Sequence, residues 1–256
     1  MPLRVMITAG GSGIGLAIAK AFAETGARVH ICDIDKRALD EATKSLPQIA
    51  TTVLDVTNEG AIDRWFDDAL GDLGGLDVLV NNAGTKGPTG YVEELKLEDW
   101  RSCLNVCLDA QFLCARRAAP VMKRQRSGSI INISSVAGLY GYGMRTPYAA
   151  AKWAVIGFSK SLAIELGPFD VRVNAVCPGT VEGPRNDRVI ADEAASRGIS
   201  QEAVQKEYTQ SQSIKRLVKP GEIADMCLFL ASPAAKMVTG QAIAVDGHVE
   251  TFHIGN

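Results

Sequence analysis

The sequence predicts an α/β fold, a doubly wound parallel β-sheet flanked by helices on both faces. Two observations carry that expectation. Short β-branched apolar runs alternate with longer amphipathic ones along the chain, which is the rhythm of β-α-β units. The short runs are apolar without period-two alternation, so both faces of each strand are buried, as in a parallel sheet. Right-handed crossovers between such strands then place helices on either side.

The elements follow in order. Val5 to Thr8 reads as the first strand and the stretch to Thr25 as its helix. Val29 to Asp33, Thr52 to Leu54 and Val78 to Val80 are the next β-branched runs, separated by helices through Lys44 and over Ala61 to Leu70. Trp100 to Lys123 has helical spacing, and Ser129 to Ile133 is a fifth strand. Pro147 to Leu166 is a helix, followed by strands at Val171 to Val176 and Ile243 to Val245. Residues 182–217 break the rhythm with a polar, helix-forming composition. A connection that long in a compact domain is expected to be a lid over a binding site. The 256 residues, 46% of them hydrophobic, suit one large core, so residues 1–256 read as a single domain.

Bulk composition excludes some classes of partner. A formal net charge of -2 without a long basic run offers nucleic acid or an anionic membrane no foothold. No stretch approaches the roughly 20 apolar residues that span a bilayer, and the N-terminus lacks the charged n-region and cleavage site of an export signal. Cys32, Cys103, Cys107, Cys114, Cys177 and Cys227 include no C-x-x-C pair and lie mostly in apolar runs. They read as small buried hydrophobes in a reduced, cytoplasmic setting, and no metal site is expected.

Directly after the first strand comes T-A-G-G-S-G-I-G, Thr8 to Gly15, which runs into a helix. Glycines let backbone approach a pyrophosphate, the helix start supplies unpaired N–H donors, and Gly15 lets helix pack on strand. The placement predicts a Rossmann-type dinucleotide site; its bland alternative is a tight turn that binds nothing. Asp33 closes the second strand eighteen residues past Gly15, where a carboxylate meets an adenosine ribose and repels the 2′-phosphate of NADP. NAD is therefore the expected cofactor, although Lys36 and Arg37 follow closely. Asp55 is placed to meet the adenine, or else to cap a helix.

The stretch T-P-Y-A-A-A-K-W at 146–153 sets Tyr148 and Lys152 one helical turn apart on one face. Out of context such a pair belongs to any surface helix. Here it stands beside Asn81-Asn82-Ala83-Gly84, Asn105, Ser135 and Pro178-Gly179. Together with the glycine turn, that ordered set resembles the short-chain dehydrogenase/reductase family, single-domain branch, over essentially the whole chain.

The resemblance implies roles position by position. Tyr148 is the general acid/base, Ser135 holds the substrate oxygen, and Asn105 is the helix-kinking asparagine of a water-linked proton relay through Lys152. Tyrosine, with an ordinary pKa near 10, is a poor base at neutral pH, so the Lys152 charge and an oxidised nicotinamide are needed to favour the phenolate. The cofactor is lined by Gly11, Ser12, Gly13, Ile14, Asp33, Asp55, Val56, Asn82, Ala83, Gly84, Tyr148, Lys152, Pro178, Gly179 and Val181. Asn81 is assigned to stitching strands, and a homotetramer or homodimer is implied.

Three positions depart from the family's letters. Ala9 stands where its first glycine does, a change without consequence if φ at Ala9 is negative. Gly183 replaces a threonine that bonds the carboxamide, and His248 follows V-D-G as a surface or interface residue. Substrate contacts are expected from Ser135, Tyr148, Lys86, Tyr140, Tyr142, Arg145, Glu182, Arg185 and Arg188, a polar set. A polyol, sugar or hydroxy acid fits it, with Arg145 or Arg185 pairing a substrate carboxylate or sulfonate. The alternatives are a 3-oxoacyl-type reductase using NADP, a sugar-nucleotide epimerase or dehydratase, and a non-catalytic dinucleotide sensor.

Overall fold

The computed structural model describes residues 2–210 and 212–249. Its elements run β1 (Arg4–Thr8), α1 (Gly13–Glu24), β2 (Arg28–Asp33), α2 (Lys36–Ser45), β3 (Ala50–Val53), α3 (Glu59–Leu73) and β4 (Val78–Asn81). Then come α4 (Leu97–Leu104), a π-helical turn at Asn105–Asp109, α5 (Ala110–Gln125), β5 (Gly128–Ile133), α6 (Thr146–Leu166) and β6 (Val171–Pro178). The chain continues through α7 (Pro184–Arg197), α8 (Gln201–Gln210), α9 (Pro220–Ala231) and β7 (Ala242–Val245). The strands form one parallel sheet in the order β3-β2-β1-β4-β5-β6-β7.

Each central strand is apolar on both faces because it separates two cores. Val5 and Ile7 of β1, Val78 and Val80 of β4, and Ile131 of β5 pack in one cluster with Ile18 and Phe22 of α1 and Ile223 and Leu230 of α9. The intervening Met6, Leu79 and Ile130 face the other cluster, with Trp65 and Phe66 of α3, Ala118 and Met122 of α5, and Leu162 of α6. This is the two-layered covering that the uninterrupted hydrophobic runs require. No helix among the described residues is long and apolar enough to cross a membrane.

The helix read over Trp100 to Lys123 carries a π-turn beginning at Asn105, the residue expected to kink it, with the Ala110 N–H bonded to the carbonyl of Asn105 five residues back. Two local expectations change. β3 ends at Val53, one residue before Leu54. The helix α9, Pro220–Ala231, fills a stretch in which no element was anticipated, with Pro220 in its first turn and Ile223, Ala224, Cys227 and Leu230 buried against α1 and the sheet. The segment 182–217 becomes the two helices α7 and α8.

Candidate active site

The sheet order reverses between β1 and β4, which opens a crevice at the carboxyl ends of those strands. Thr8 and Asn82 lock its floor. Thr8 Oγ1 accepts from the N–H groups of Asn82 at 2.9 Å and Ala83 at 3.0 Å. Asn82 Nδ2 donates back to the carbonyls of Thr8 at 3.1 Å and Ala9 at 3.0 Å. The glycine turn is thereby held by a side chain from the neighbouring strand.

Two glycines in that turn have no substitute. Gly13 has φ +53°, and a Cβ on Gly15 would lie 2.1 Å from the Ala9 carbonyl oxygen. Ser12 and Gly13 are exposed, and the Ser12 side chain makes no cap hydrogen bond, so the first N–H groups of α1 face the crevice uncapped. Ala9 adopts φ +51°, so the condition that would have made its substitution neutral is not met: alanine occupies a left-handed conformation that suits glycine. The carbonyl of Ala9 must point at Asn82 and Gly15, which holds the backbone there despite the Cβ.

Asp33, 9% exposed, closes β2 above this turn. Its Oδ2 accepts from Gly11 N–H at 3.0 Å and its Oδ1 from Asp35 N–H at 3.0 Å. Asp55 lies exposed beyond β3 and takes the Thr57 N–H and hydroxyl on Oδ1 at 2.9 and 2.8 Å. It is not the cap of α3, a role that Asn58 fills. Val56 beside it is buried. An adenosine pocket with carboxylates at two strand ends fits this geometry. Residues Gly11 to Ile14 with Asn82 to Gly84 would hold the rest of a dinucleotide.

β5 delivers the two serines, and the structure separates their duties. Ser134 Oγ, buried, donates to the Lys152 carbonyl at 2.8 Å and is committed to α6. Ser135 Oγ accepts the Ala137 N–H at 3.1 Å, which leaves its hydroxyl proton for another acceptor. Lys152 is 2% exposed; its Nζ donates to the Ile133 carbonyl at 2.9 Å and stands 5.6 Å from the Tyr148 ring centre. Asn81 behaves as a stitch: its Nδ2 donates to Asn132 Oδ1 at 2.8 Å, and Asn132 Nδ2 to Ser159 Oγ of α6 at 2.8 Å. That buried chain fixes the height of α6 against the sheet.

Pro178 and Gly179 end β6 at the same edge, where a Cβ on Gly179 would meet Asp246 at 2.8 Å. Val181 pairs with Val218 beyond it. Gly183 has φ +131° and precedes α7, so the missing threonine reflects a backbone only glycine adopts readily. His248, exposed, bonds Ser213 Oγ through Nδ1 at 2.7 Å, on the surface beyond β7.

Around the mouth, α7 closes on the loop after β4 and α8 on the loop between β5 and α6. Arg185 Nη2 donates to the Thr85 carbonyl at 2.7 Å, Lys86 pairs with Asp192, and the hydroxyls of Tyr142 and Tyr208 meet at 2.8 Å. Arg145 is 5% exposed, with its guanidinium carbon 5.2 Å from the Tyr142 ring centre and 5.3 Å from that of Tyr148. A Cβ placed on Gly84 would lie 3.6 Å from Lys152 Nζ and 3.8 Å from both Arg185 Nη1 and Cys107 Sγ. Lys152, Arg185 and Cys107 thus converge on one point of backbone.

Asn105 is the first residue of the π-turn. It is half-buried beside Arg101, Ser102, Leu104 and Asp109, and its side chain makes no hydrogen bond among the described residues. The π-turn instead aims Cys107, two residues on, at Ala151, Tyr148 and the Thr85 N–H, which reaches its sulfur at 3.4 Å. Hydrogen bonding from the Cys103 thiol, then the nearby Lys152 charge, draws the Cys107 thiol below its ordinary range against the cost of burial, while Cys103 is pushed up. Sequence reasoning treated Cys107 as a buried hydrophobe; the C-x-x-x-C spacing across a kinked helix was the available signal.

A crevice at the switch point of a parallel sheet, a glycine turn, a strand-end carboxylate and a Tyr-x-x-x-Lys pair beside a strand-end serine define a dinucleotide-dependent oxidoreductase. The chain belongs to the short-chain dehydrogenase/reductase family. A family profile described as Enoyl-(Acyl carrier protein) reductase matches residues 8–249. The chain is 39% identical to "3-oxoacyl-[acyl-carrier-protein] reductase FabG" of Thermotoga maritima, covering 94% of this chain and 95% of that protein. It is 36% identical to "Cis-4-hydroxycyclohexanecarboxylate dehydrogenase" of Sinomonas cyclohexanicum, covering 94% of each. Among solved structures, NAD+-bound xylitol dehydrogenase superimposes with a TM-score of 0.91 at 27% identity, over 95% of this chain and 97% of that one.

Proposed function

We propose that the protein is an NAD-dependent oxidoreductase that interconverts a small polar secondary alcohol, such as a polyol, sugar or hydroxy acid, and its ketone. The observation that carries this reading is the buried Lys152, whose ammonium lies 5.6 Å from the ring centre of Tyr148. A fixed cation one helical turn from a phenol favours the phenolate that takes the alcohol proton. Bound nicotinamide supplies the hydride acceptor. Tyr148 holds or receives the proton of the substrate hydroxyl, Ser135 donates a hydrogen bond to the substrate oxygen as charge develops there, and Lys152 orients the pair. In the reverse direction Tyr148 returns the proton to the alkoxide.

The strand-end Asp33 favours NAD, because a 2′-phosphate would meet its carboxylate. Relatives whose names are those of a hydroxy acid dehydrogenase and an NAD+-bound xylitol dehydrogenase support the polar substrate. The FabG relative supports a second reading, a 3-oxoacyl reductase using NADP. The helices α7 and α8 serve as the substrate lid. Trp153 and Ile164 of α6 and Phe112 of α5 are exposed apolar side chains that suit a face buried in a homotetramer or homodimer, and the six free, buried cysteines suit a cytoplasmic setting.

The test is absorbance at 340 nm with NAD or NADP against a panel of secondary alcohols. NADH formation from NAD upholds the reading, whereas tight NAD binding without turnover of any alcohol or ketone favours a sensor. Faster reduction of an acyl thioester with NADPH favours the 3-oxoacyl reductase.

A further inference from the structure

We propose that the substrate carries a carboxylate a few carbons from its reacting hydroxyl, and that Arg145 is the anchor for that carboxylate. The proposal rests on the alcohol–ketone reading above and names the substrate class within it. Arg145 is a charged group 5% exposed, yet it makes no salt bridge among the described residues, and its Nε finds no hydrogen-bond acceptor. Burying a guanidinium without an anion is costly, and native proteins keep such an arrangement where a ligand completes it.

The surroundings supply everything except the anion. Nη2 is steadied by the Lys86 carbonyl, and the plane is held between the rings of Tyr142 and Tyr148. Of the acids of α7, Glu193 lines the same small cavity as Arg145 but pairs with Arg197 at 2.9 Å and takes the Tyr208 hydroxyl, and Asp192 pairs with Lys86. Arg185 adds a second guanidinium at the same mouth, bonded to the Thr85 carbonyl. A planar carboxylate accepts two parallel N–H donors from an arginine fork, which a neutral hydroxyl or thioester does not match.

Contact limits the size of the ligand. The Arg145 guanidinium stacks on the Tyr148 ring, its carbon 5.3 Å from the ring centre, so an anion on the guanidinium lies close to the residue that carries the base. A short hydroxy acid is the class that can touch both. A long acyl thioester would lay a neutral chain against a buried cation.

The experiment compares lactate, 3-hydroxybutanoate and 4-hydroxypentanoate, each with its methyl ester, and neutral polyols, in NAD reduction by the full-length enzyme. At least one acid is expected to exceed its ester in kcat/KM by about 30-fold or more, the scale of a charge-assisted bidentate pair. Arg145→Gln should remove that preference, lowering kcat/KM for the acid at least about tenfold more than for its ester and mainly through KM, and Arg145→Lys should restore part of it. Esters or polyols turned over as well as the acids, or an equal loss for acid and ester in Arg145→Gln, would overturn the proposal while leaving the alcohol–ketone reading in place. If no alcohol is oxidised, that reading fails, and the anchor is decided by calorimetry of the NADH complex with 3-oxobutanoate and its methyl ester. Tighter binding of the acid that Arg145→Gln abolishes upholds it, and equal binding refutes it. Melting temperature and NAD affinity of each variant check that the fold is retained.

Discussion

The amide of Gly11 and the carboxylate of Asp33 are joined by a hydrogen bond of 3.0 Å, and a Cβ on Gly11 would lie 3.0 Å from that same oxygen. The first glycine-rich turn and the end of β2 are therefore one unit. Asp33 positions the turn, and in the proposed NAD complex it would also face the ribose. Asp33→Ala is expected to lower kcat/KM for NAD by roughly 10- to 100-fold, the worth of hydrogen bonds to a charged group, and to raise the NADP to NAD ratio. A wild-type enzyme that prefers NADP would remove the basis for this expectation.

Tyr148→Phe keeps the ring that packs against Cys103, Cys107 and Ala151 and stacks on Arg145, and deletes only the hydroxyl. Fold and NAD affinity should persist while kcat falls by at least about 10²- to 10⁴-fold, the usual share of a general acid/base. Lys152→Ala should lose activity too, but with a lowered melting temperature, because it vacates a buried site and takes from the Ile133 carbonyl one of its two side-chain donors, leaving Gln111 Nε2. Turnover in Tyr148→Phe within tenfold of wild type would assign the proton transfer elsewhere.

Ala9 and Gly15 give opposite expectations within one turn. Ala9 holds φ +51°, so Ala9→Gly should stabilise the fold by about 1 kcal/mol and raise Tm by roughly 2 to 4 °C. Gly15→Ala would drive a methyl group to 2.1 Å from the Ala9 carbonyl, and α1 would have to move away from β1. NAD binding should be lost in that variant along with stability. Calorimetric unfolding with and without NAD measures both.

The parallel sheet was legible because each central strand divides two apolar cores, which writes an unbroken hydrophobic run into the chain. The glycine turn and Tyr148-x-x-x-Lys152 were legible because their chemistry depends on spacing along one element. What escaped depended on contacts between distant segments. The kink itself was expected at Asn105 from the resemblance, but a helical period cannot register the added residue of the π-turn at Asn105–Asp109 that brings Cys107 beside the Thr85 N–H. Arg145 was legible as one of two candidate anion-pairing arginines; only the folded arrangement of Tyr142, Tyr148 and the Lys86 carbonyl reveals that it is buried without a salt bridge. Helix α9, Pro220–Ala231, lies beyond the 182–217 insertion in a stretch to which the sequence reading gave no element.

His30 predicts the acid side of the stability profile. It is 4% exposed in β2, bonds Thr52 Oγ1 through Nε2 at 2.9 Å, and leaves Nδ1 unpartnered. Burial lowers its pKa below the ordinary 6.5, so the unfolded chain binds the proton first as pH falls. The contribution is fully present above about pH 6.5 and declines below it toward the folded-state pKa. Urea midpoints should drop between pH 7 and 5.5 for wild type and drop less for His30→Gln. Equal drops would place the acid sensitivity on other groups.

Cys107 and Asn105 discriminate between two readings of the π-turn. If the turn exists to present Cys107 to Lys152 and the Thr85 N–H, then Asn105→Ala should leave kcat and KM within about twofold, since its side chain makes no hydrogen bond among the described residues. Cys107→Ala should leave NAD affinity nearly unchanged and shift the acidic limb of the kcat profile, because a thiol drawn down by Cys103 and Lys152 ionises below its usual range. Cys107→Ser, which keeps a small hydrogen-bonding group but not a readily ionised one, should retain turnover near its optimum while showing the same altered limb. The reverse pattern, a large loss in Asn105→Ala and an unchanged profile in Cys107→Ala, would return the relay to the asparagine and make the thiol a packing residue.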